Sequence, residues 1–261
     1  MDSNLLVVSN QITVFAGYMP DVGLHSHYTA VLVFSLDGAP IGVGGDEISW
    51  TDHAQYFLHP DERNKMRNYD HPIGCVFFEP EGSLYPLFVE QKRLGNNGLV
   101  DYMESLDALV RLITVFSKEP SNADEFIRSV VCCLLGELAS GEVSSKDSRV
   151  VEVLNLIKAD LGANAGAAQL ASRVNISERQ LSTLFKRQVG VPIRRYRQWL
   201  RLKHVARLTF QGLNLTDAAL DAGFSDSAHF SNTCRKTLGV KPTDLLLTNK
   251  PLMLIASSDY C

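Results

Sequence analysis

The sequence predicts an α+β chain, mostly β in its first half with a helical pair behind the strands, and all-α in its second half. Three observations predict this. Residues 5–86 carry short apolar runs of β-branched and aromatic residues, separated at roughly 8 to 12 residue intervals. After residue 98 the apolar period lengthens to that of a helix, and beyond residue 147 every strong signal is helical, with no strand signal. The 261 residues, 45% hydrophobic and 21% charged, suit two domains of ordinary globular composition.

In the first stretch Ile12-Thr13-Val14-Phe15, Ala30-Val31-Leu32-Val33-Phe34 and Cys75-Val76-Phe77-Phe78 are strand-like. Turn residues separate them in 36–40, 42–46 and 79–82, which reads as an antiparallel sandwich or barrel over about 5–95. Past the turn-like Gly95-Asn96-Asn97-Gly98, the residues Leu99, Met103, Leu106, Leu109, Val110, Ile113 and Phe116 recur at helical spacing until Pro120 ends the helix. Phe126, Ile127, Val130, Val131, Leu134, Leu135 and Leu138 predict a second helix that stops near Gly141, so the helical pair occupies about 99–140. Residues 141–147, small and polar, read as a linker. Domains are therefore expected at 1–140 and 148–247, with an apolar C-terminal tail at 248–261 whose role does not follow from its composition.

After the linker, Val150, Val151, Val153, Leu154, Ile157 and Leu161 mark a first helix. Ala171, Asn175 four residues on, and Ser177-Glu178-Arg179-Gln180-Leu181 then have the layout of a helix-turn-helix. A small residue at 171 lets two helices cross closely, and the turn needs a residue tolerant of positive φ, for which Asn ranks next after Gly. Ser177 with Gln180 makes a capping box. Leu170, Val174, Ile176, Leu181, Leu184 and Phe185 supply the core face, leaving Arg179, Ser182, Thr183, Lys186 and Arg187 on the other faces. Gly190 closes this helix, and Pro192 restarts the chain into a long one ending at Phe210, about 28 Å at 1.5 Å per residue.

The pattern returns about 49 residues later. Thr216 is placed to cap a helix holding Ala219, Gly223 follows at the same offset, and Ser225 or Asp226 starts a further helix that ends at Gly239 before Pro242. Leu181 matches Phe230, Ser182 matches Ser231, Phe185 matches Cys234 and Gly190 matches Gly239, an internal duplication with one extra residue in the second turn. On the long helix between them, Tyr196, Trp199, Leu202 and Ala206 form an apolar stripe. Its Arg194, Arg195, Arg197, Arg201, Lys203 and Arg207 either touch phosphates or are solvated, with pairing to Asp217 or Asp221 a further alternative for Arg201.

The whole-chain charge of −4 hides a split. Residues 1–146 hold 9 Lys/Arg against 20 Asp/Glu, net −11, and residues 147–261 hold 16 against 9, net +7. A basic half bearing two helix-turn-helix patterns points to nucleic-acid contact. No apolar run is long enough for a membrane helix and the first 15 residues lack the build of a signal peptide, so a cytoplasmic protein with no membrane partner is expected. Cys75, Cys132, Cys133, Cys234 and Cys261 include no C-x-x-C pair and are expected to be reduced and mostly buried.

Leu170-Ala171, Ser177, Leu181, Phe185-Lys186 and Gly190, then Arg201-Leu202 and Ala206, then Ala219, Gly223-Phe224, Phe230-Ser231, Gly239 and Pro242, together resemble the double helix-turn-helix domain of AraC/XylS-type transcriptional regulators. The resemblance implies a bacterial regulator, an activator by family habit, that binds double-stranded promoter DNA and works with RNA polymerase. It implies no enzymatic step and no cofactor. The positions it sets against DNA are Arg179, Ser182, Thr183, Lys186 and Arg187 in the first unit and Ser227, Ala228, His229, Asn232 and Arg235 in the second. Asn232 departs from a usual Arg, and Cys234 from a usual Phe, which thins the second core unless a neighbour fills the gap.

In that family the variable half is often a cupin-like barrel that senses a small-molecule effector or makes a homodimer, and residues 1–98 are compatible with such a barrel. His25-Ser26-His27 has the spacing with which a strand presents two imidazoles, and His53, His59 and His71 add candidates. No acid follows His27 until Asp37, so no metal site is expected. His25, His27, Tyr28, Trp50 and Tyr56 are instead candidate effector-binding residues, with Phe57 and Phe77 as further lining; the plainer alternatives are loop histidines and core aromatics. Two rival functions stay open: a cupin-type metal-dependent enzyme with an accessory helical domain, and a protein-interaction module whose helix-turn-helix units no longer bind DNA.

Overall fold

The computed structural model describes residues 3–45, 49–94, 99–101, 104–136, 146–162, 165–246 and 251–258. The chain divides into two compact units, one formed by residues 1–142 with 235–261 and the other by residues 143–234.

The first unit contains two sheets. The larger has seven strands in the order β10 (Leu99–Asp101), β7 (Gln55–Leu58), β4 (Ala30–Ser35), β9 (Ile73–Phe78), β2 (Ile12–Gly17), β1 (Asn4–Val8) and β11 (Leu252–Ala256). The smaller has four, in the order β3 (Val22–Ser26), β8 (Arg63–Arg67), β5 (Ile41–Gly44) and β6 (Thr51–His53). Among the described residues all neighbours run antiparallel except β1 and β11.

β2 and β4 are buried along their whole length because the larger sheet has a core on each face. Ala30, Leu32 and Phe34 of β4 face one core with Ile12, Val14, Phe57 and Val76. Val31 and Val33 face the other, with Tyr56, Ile73 and Cys75 and with Val22, Ile41, Val43 and Met66 of the smaller sheet. Strand alternation here sorts one apolar set from another, so the strands read as unbroken apolar runs.

Three helices, α1 (Leu84–Gln91), α2 (Asp107–Lys118) and α3 (Ala123–Leu135), close the first core with Phe88, Leu109, Ile113, Phe116, Phe126, Ile127 and Val130. The Asn122 side chain caps α3 by accepting the Glu125 N–H, and Gly136 ends it at φ 61°. Covering the sheet takes up most of the apolar residues of α2 and α3, although Val115 is left exposed.

Several expectations are corrected. α1 lies in a stretch expected to be strand; Leu84 and Phe88 bury one turn apart, and Pro86 is tolerated because it falls in the first turn. Leu99 begins β10 rather than a helix, and α2 starts only after Leu106. Cys75 and Cys234 are buried as expected, whereas Cys132 and Cys133 are exposed, because Val130, Val131, Leu134 and Leu135 already occupy the inner face of α3. The expected turn at 95–98, Met103, the extension of the second helix through Leu138 to Gly141, linker residues 141–145, tail residues 247–250 and Cys261 lie outside the described residues.

A strand also stands where none was expected. The run Leu252-Met253-Leu254-Ile255 is too short to declare a period, and the edge of β1 takes it in parallel register, Asn4 opposite Leu252 and Val8 opposite Ala256. The Asn4 N–H donates to Pro251 O at 2.8 Å and the Ser257 N–H to Val8 O at 2.9 Å. The Ser258 N–H donates to an Asp124 carboxylate oxygen on α3 at 2.7 Å.

The second unit is helical: α4 (Ser148–Ala159), α5 (Ala167–Arg173), α6 (Glu178–Val189), α7 (Ile193–Phe210), α8 (Leu215–Asp221) and the start of α9 (Ser227–Leu238). α10 (Pro242–Leu246) follows in the segment grouped with the first unit. Two cores hold the second unit. One joins α4, α5 and α6 with Ile193 and Tyr196 of α7; the other joins Leu202 and Val205 of α7 with α8 and α9. Among the described residues no helix is long and apolar enough to cross a membrane.

Ending the chain at residue 250 removes β11 and bares the edge of β1. The shortened protein is expected to lose about 2 to 4 kcal/mol in urea unfolding, the worth of a few ladder hydrogen bonds, and to self-associate in light scattering. Unchanged stability together with a monodisperse sample would show that β11 contributes nothing.

Candidate nucleic-acid interface

The first motif is built by local chemistry. Ala171 is buried where α5 meets α6, and Asn175 takes the left-handed conformation at φ 54°. The Ile176 N–H then reaches back to Ala171 O at 3.1 Å. Ser177 and Gln180 close the expected capping box: Ser177 Oγ accepts the Gln180 N–H at 3.3 Å, and Gln180 Oε1 accepts the Ser177 N–H at 3.0 Å. Leu181, Phe185 and Val189 turn inward, with Phe185 edge-on to Tyr196 at 5.7 Å. Arg179, Ser182, Thr183, Lys186 and Arg187 are all exposed on α6. Gly190 ends the helix at φ 85°.

The second motif repeats this geometry. Gly223 takes φ 84°, and the Phe224 N–H reaches back to Ala219 O at 3.0 Å, the counterpart of the Ile176 bond. One cap differs from expectation: Asn214, not Thr216, accepts the Asp217 N–H, so α8 has already begun when Thr216 is reached. Asp226 caps α9 by accepting the His229 N–H at 2.7 Å. The His229 ring folds back, 3.2 Å from Ser225 Oγ and edge-on to Phe224 at 5.3 Å. Half-buried, it supports the start of the helix. Ser227, Ala228, Asn232 and Arg235 are exposed. Cys234 is buried in one core with Phe224 and Phe230, whose rings meet at 5.2 Å; burial pushes its thiol up to about 12.

The cations of α7 do not form one phosphate-facing row. Arg194 is exposed and Arg195 and Arg207 are half-buried, but Lys203 and Arg201 are buried. Arg197 Nη2 donates to Ala165 O at 2.6 Å. Arg201 donates from Nε and Nη2 to Leu161 O, at 3.0 and 2.6 Å, instead of serving as a phosphate contact. His204 takes Asp221, at 2.9 Å. Residue identity alone gives no sign of the Arg197 and Arg201 bonds, since their acceptors are backbone carbonyls.

The effector candidates occupy different settings. His25 and His27 meet Nε2 to Nε2 at 2.9 Å, and the His27 ring lies 5.5 Å from Phe77. Tyr28 is buried, and Tyr56 is buried in the core between the sheets, while its neighbour Phe57 faces the helices. Trp50 sits under Lys65 and Arg67, 4.9 and 4.0 Å from its ring, on the face of β8 opposite the buried Asn64 and Met66. His53, His59 and His71 are engaged with Thr51, Tyr85 and Asp37. Among the described residues no three His, Cys, Asp or Glu side chains converge as metal ligands.

The histidine pair has a defined proton order. His25 Nδ1 lies 2.8 Å from Gly23 O, and a carbonyl only accepts, so His25 carries its proton on Nδ1. With both rings neutral, His27 Nε2 then donates to His25 Nε2. Burial pulls both imidazoles below the ordinary 6.5, and His25 lowers His27 further.

Residues 170–247 match a family model described as a helix-turn-helix domain. Over 163 residues the chain is 28% identical to the XylDLEGF operon transcriptional activator 1 of Pseudomonas putida, a match covering 57% of this chain and 49% of that protein. The chain thus spans about half the length of that relative. Over 238 residues it is 24% identical to the HTH-type transcriptional activator RhaS of Klebsiella pneumoniae (strain 342), covering 83% of this chain and 81% of RhaS. The crystal structure of ToxT from Vibrio cholerae O395 shares the fold, with a TM-score of 0.58 at 14% identity over 91% of this chain and 97% of ToxT.

Because His25 and His27 are held neutral, the unfolded chain binds more protons than the folded one once the pH drops below about 6.5. Their contribution is complete above that pH and is lost as the pH falls, with a slope of up to about 1.4 kcal/mol per pH unit for each ring. Urea midpoints measured at about pH 7.5 and pH 5.5 are expected to fall less in the double variant His25→Gln, His27→Gln than in the wild type. Equal falls would mean that the pair is not held neutral by burial.

Proposed function

We propose, from the AraC/XylS-type double helix-turn-helix domain in its C-terminal half, that the chain is a sequence-specific transcription regulator that binds promoter DNA and activates transcription. The observation that carries this reading is the repeated motif: two turns of one geometry, each followed by a helix with an exposed polar face. A B-DNA major groove admits one such helix, and two on a common support can enter successive grooves.

In the first motif Arg179 is suited to the paired acceptors of guanine, Ser182 and Thr183 to neighbouring base edges, and Lys186 and Arg187 to bases or phosphates. In the second, Asn232 is suited to adenine, Ser227 and Ala228 to close approach at the start of the helix, and Arg235 to phosphate. His229 acts chiefly through the cap of α9. Arg194, exposed at the start of α7, adds a phosphate contact.

In this reading the first unit modulates the second, through a small-molecule effector bound near His25, His27, Tyr28 and Tyr56, through a homodimer, or through both. Trp50, on the outer face of the smaller sheet, stands outside that group. The bound promoter is presented to RNA polymerase in the bacterial cytoplasm, and no chemical step is assigned to the chain. The named relatives are transcriptional activators, which supports this reading over a metal-dependent enzyme.

Duplexes selected by the protein from a random-sequence pool provide the test. Binding is expected to weaken with salt by about 0.9 log units per tenfold salt for each neutralised phosphate. Arg179→Ala should cost about 1 to 3 kcal/mol on the selected duplex and relax base preference at one step, and Lys186→Ala should lower affinity as well. Equal losses on selected and random duplexes for both variants would refute base reading by α6. A wild-type protein that selects no duplex would refute the regulator assignment.

A further inference from the structure

α7 leaves one core of the second unit and enters the other, and Arg201 stands at the crossing. Before it, Ile193 and Tyr196 pack with α4, α5 and α6; after it, Leu202 and Val205 pack with α8 and α9. A shared helix sets the distance between two motifs, and directional bonds at the crossing add a constraint on their mutual rotation that the non-directional hydrophobic effect does not supply. Hydrogen bonds supply direction.

Arg201 is 5% exposed, and both Nε and Nη2 donate to Leu161 O in the loop that leads into the first motif. Its guanidinium also lies 6.0 Å from the ring of Phe224, which follows the turn of the second motif. Arg197, one helical turn earlier, fastens the same loop through Ala165 O. The turn is shaped for this meeting: a Cβ at Gly223 would come within 2.9 Å of Arg201 Nη2 and 3.1 Å of Gly162 Cα. Gly223 therefore answers two demands, a positive φ and an open seat for the guanidinium. Keeping a guanidinium buried on carbonyl oxygens is costly, so its retention at this junction calls for a specific return.

We infer that Arg201 is a positioning residue for DNA reading: by joining the approach loop of the first motif to the turn of the second, it holds α6 and α9 in one mutual orientation and makes the protein sensitive to the spacing between two half-sites. The inference rests on the regulator reading above, and its test separates the two. Full-length protein is titrated with a duplex that the wild type has selected from a random pool, with the same duplex carrying one base pair inserted or removed between the half-sites, and with a duplex retaining one half-site.

The wild type is expected to lose roughly tenfold or more on either spacing change. Arg201→Met should hold its affinity for the single half-site within about twofold, lose about tenfold on the intact duplex, and distinguish the spacings by less than about threefold. Arg201→Lys, which keeps a donor toward Leu161 O, should recover part of the discrimination. Wild-type spacing discrimination in Arg201→Met, or in Arg201→Gln, too short to reach Leu161 O, if the methionine variant does not fold, overturns the inference. Equal losses on one-site and two-site duplexes overturn it too, in favour of plain fold support. Failure of the wild type to select any duplex removes the regulator reading and this inference together.

Discussion

One helix serves two cores, and the second unit is organised by how its buried stripe turns. Ile193, Tyr196, Trp199, Leu202 and Val205 are all buried and follow one another at intervals of three residues. In a helix of 3.6 residues per turn each such step falls about 60° short of a full rotation, so the buried line winds round the helix as it advances. The start of α7 consequently faces the α4, α5 and α6 core and its end the α8 and α9 core. A stripe of alternating three- and four-residue steps would have stayed on one face and offered a single core. The spiral also carries Arg197 and Arg201, four residues apart on one side, onto the carbonyls of the loop before α5.

The first unit solves a different problem. Its larger sheet is covered on one side by helices and on the other by a second sheet, so its central strands have no wet face. Polar groups in such a setting must be matched. Thr13 donates to Glu79 at 2.8 Å, and Asn4 both accepts the Tyr18 N–H and donates to Tyr18 O. The His25 and His27 pair follows the same rule through its tautomers.

What could be read from the sequence was what local chemistry decides. The capping box at Ser177 and Gln180, the left-handed Asn175 and Gly223, and the closing Gly190 each depend on residues within a few positions of one another. The same holds for the long helix begun after Pro192. What could not be read depends on distant or anonymous partners. Arg201 binds a carbonyl forty positions away, which has no side-chain signature. β11 is a short apolar run whose conformation is decided by the open edge of β1. Tyr56 and Phe57 are adjacent strand residues and point to opposite faces, a division that composition does not reveal because the sheet has a core on each. Thr216 lost its capping role to Asn214 because both are competent caps and the helix begins at the earlier one.

The parallel pairing of β1 with β11 also bears on the order in which the fold is completed. β1 precedes the helical unit in the chain, and its outer neighbour does not exist until that whole unit has been made. At elongation rates of about 5 to 20 residues per second, that edge waits many seconds with its amide and carbonyl groups uncovered. The helical unit, rich in local contacts, has time to form first, whereas the large sheet reaches its full width only afterwards. Nascent chains that end ahead of Leu252 thus leave the β1 edge open to mispairing.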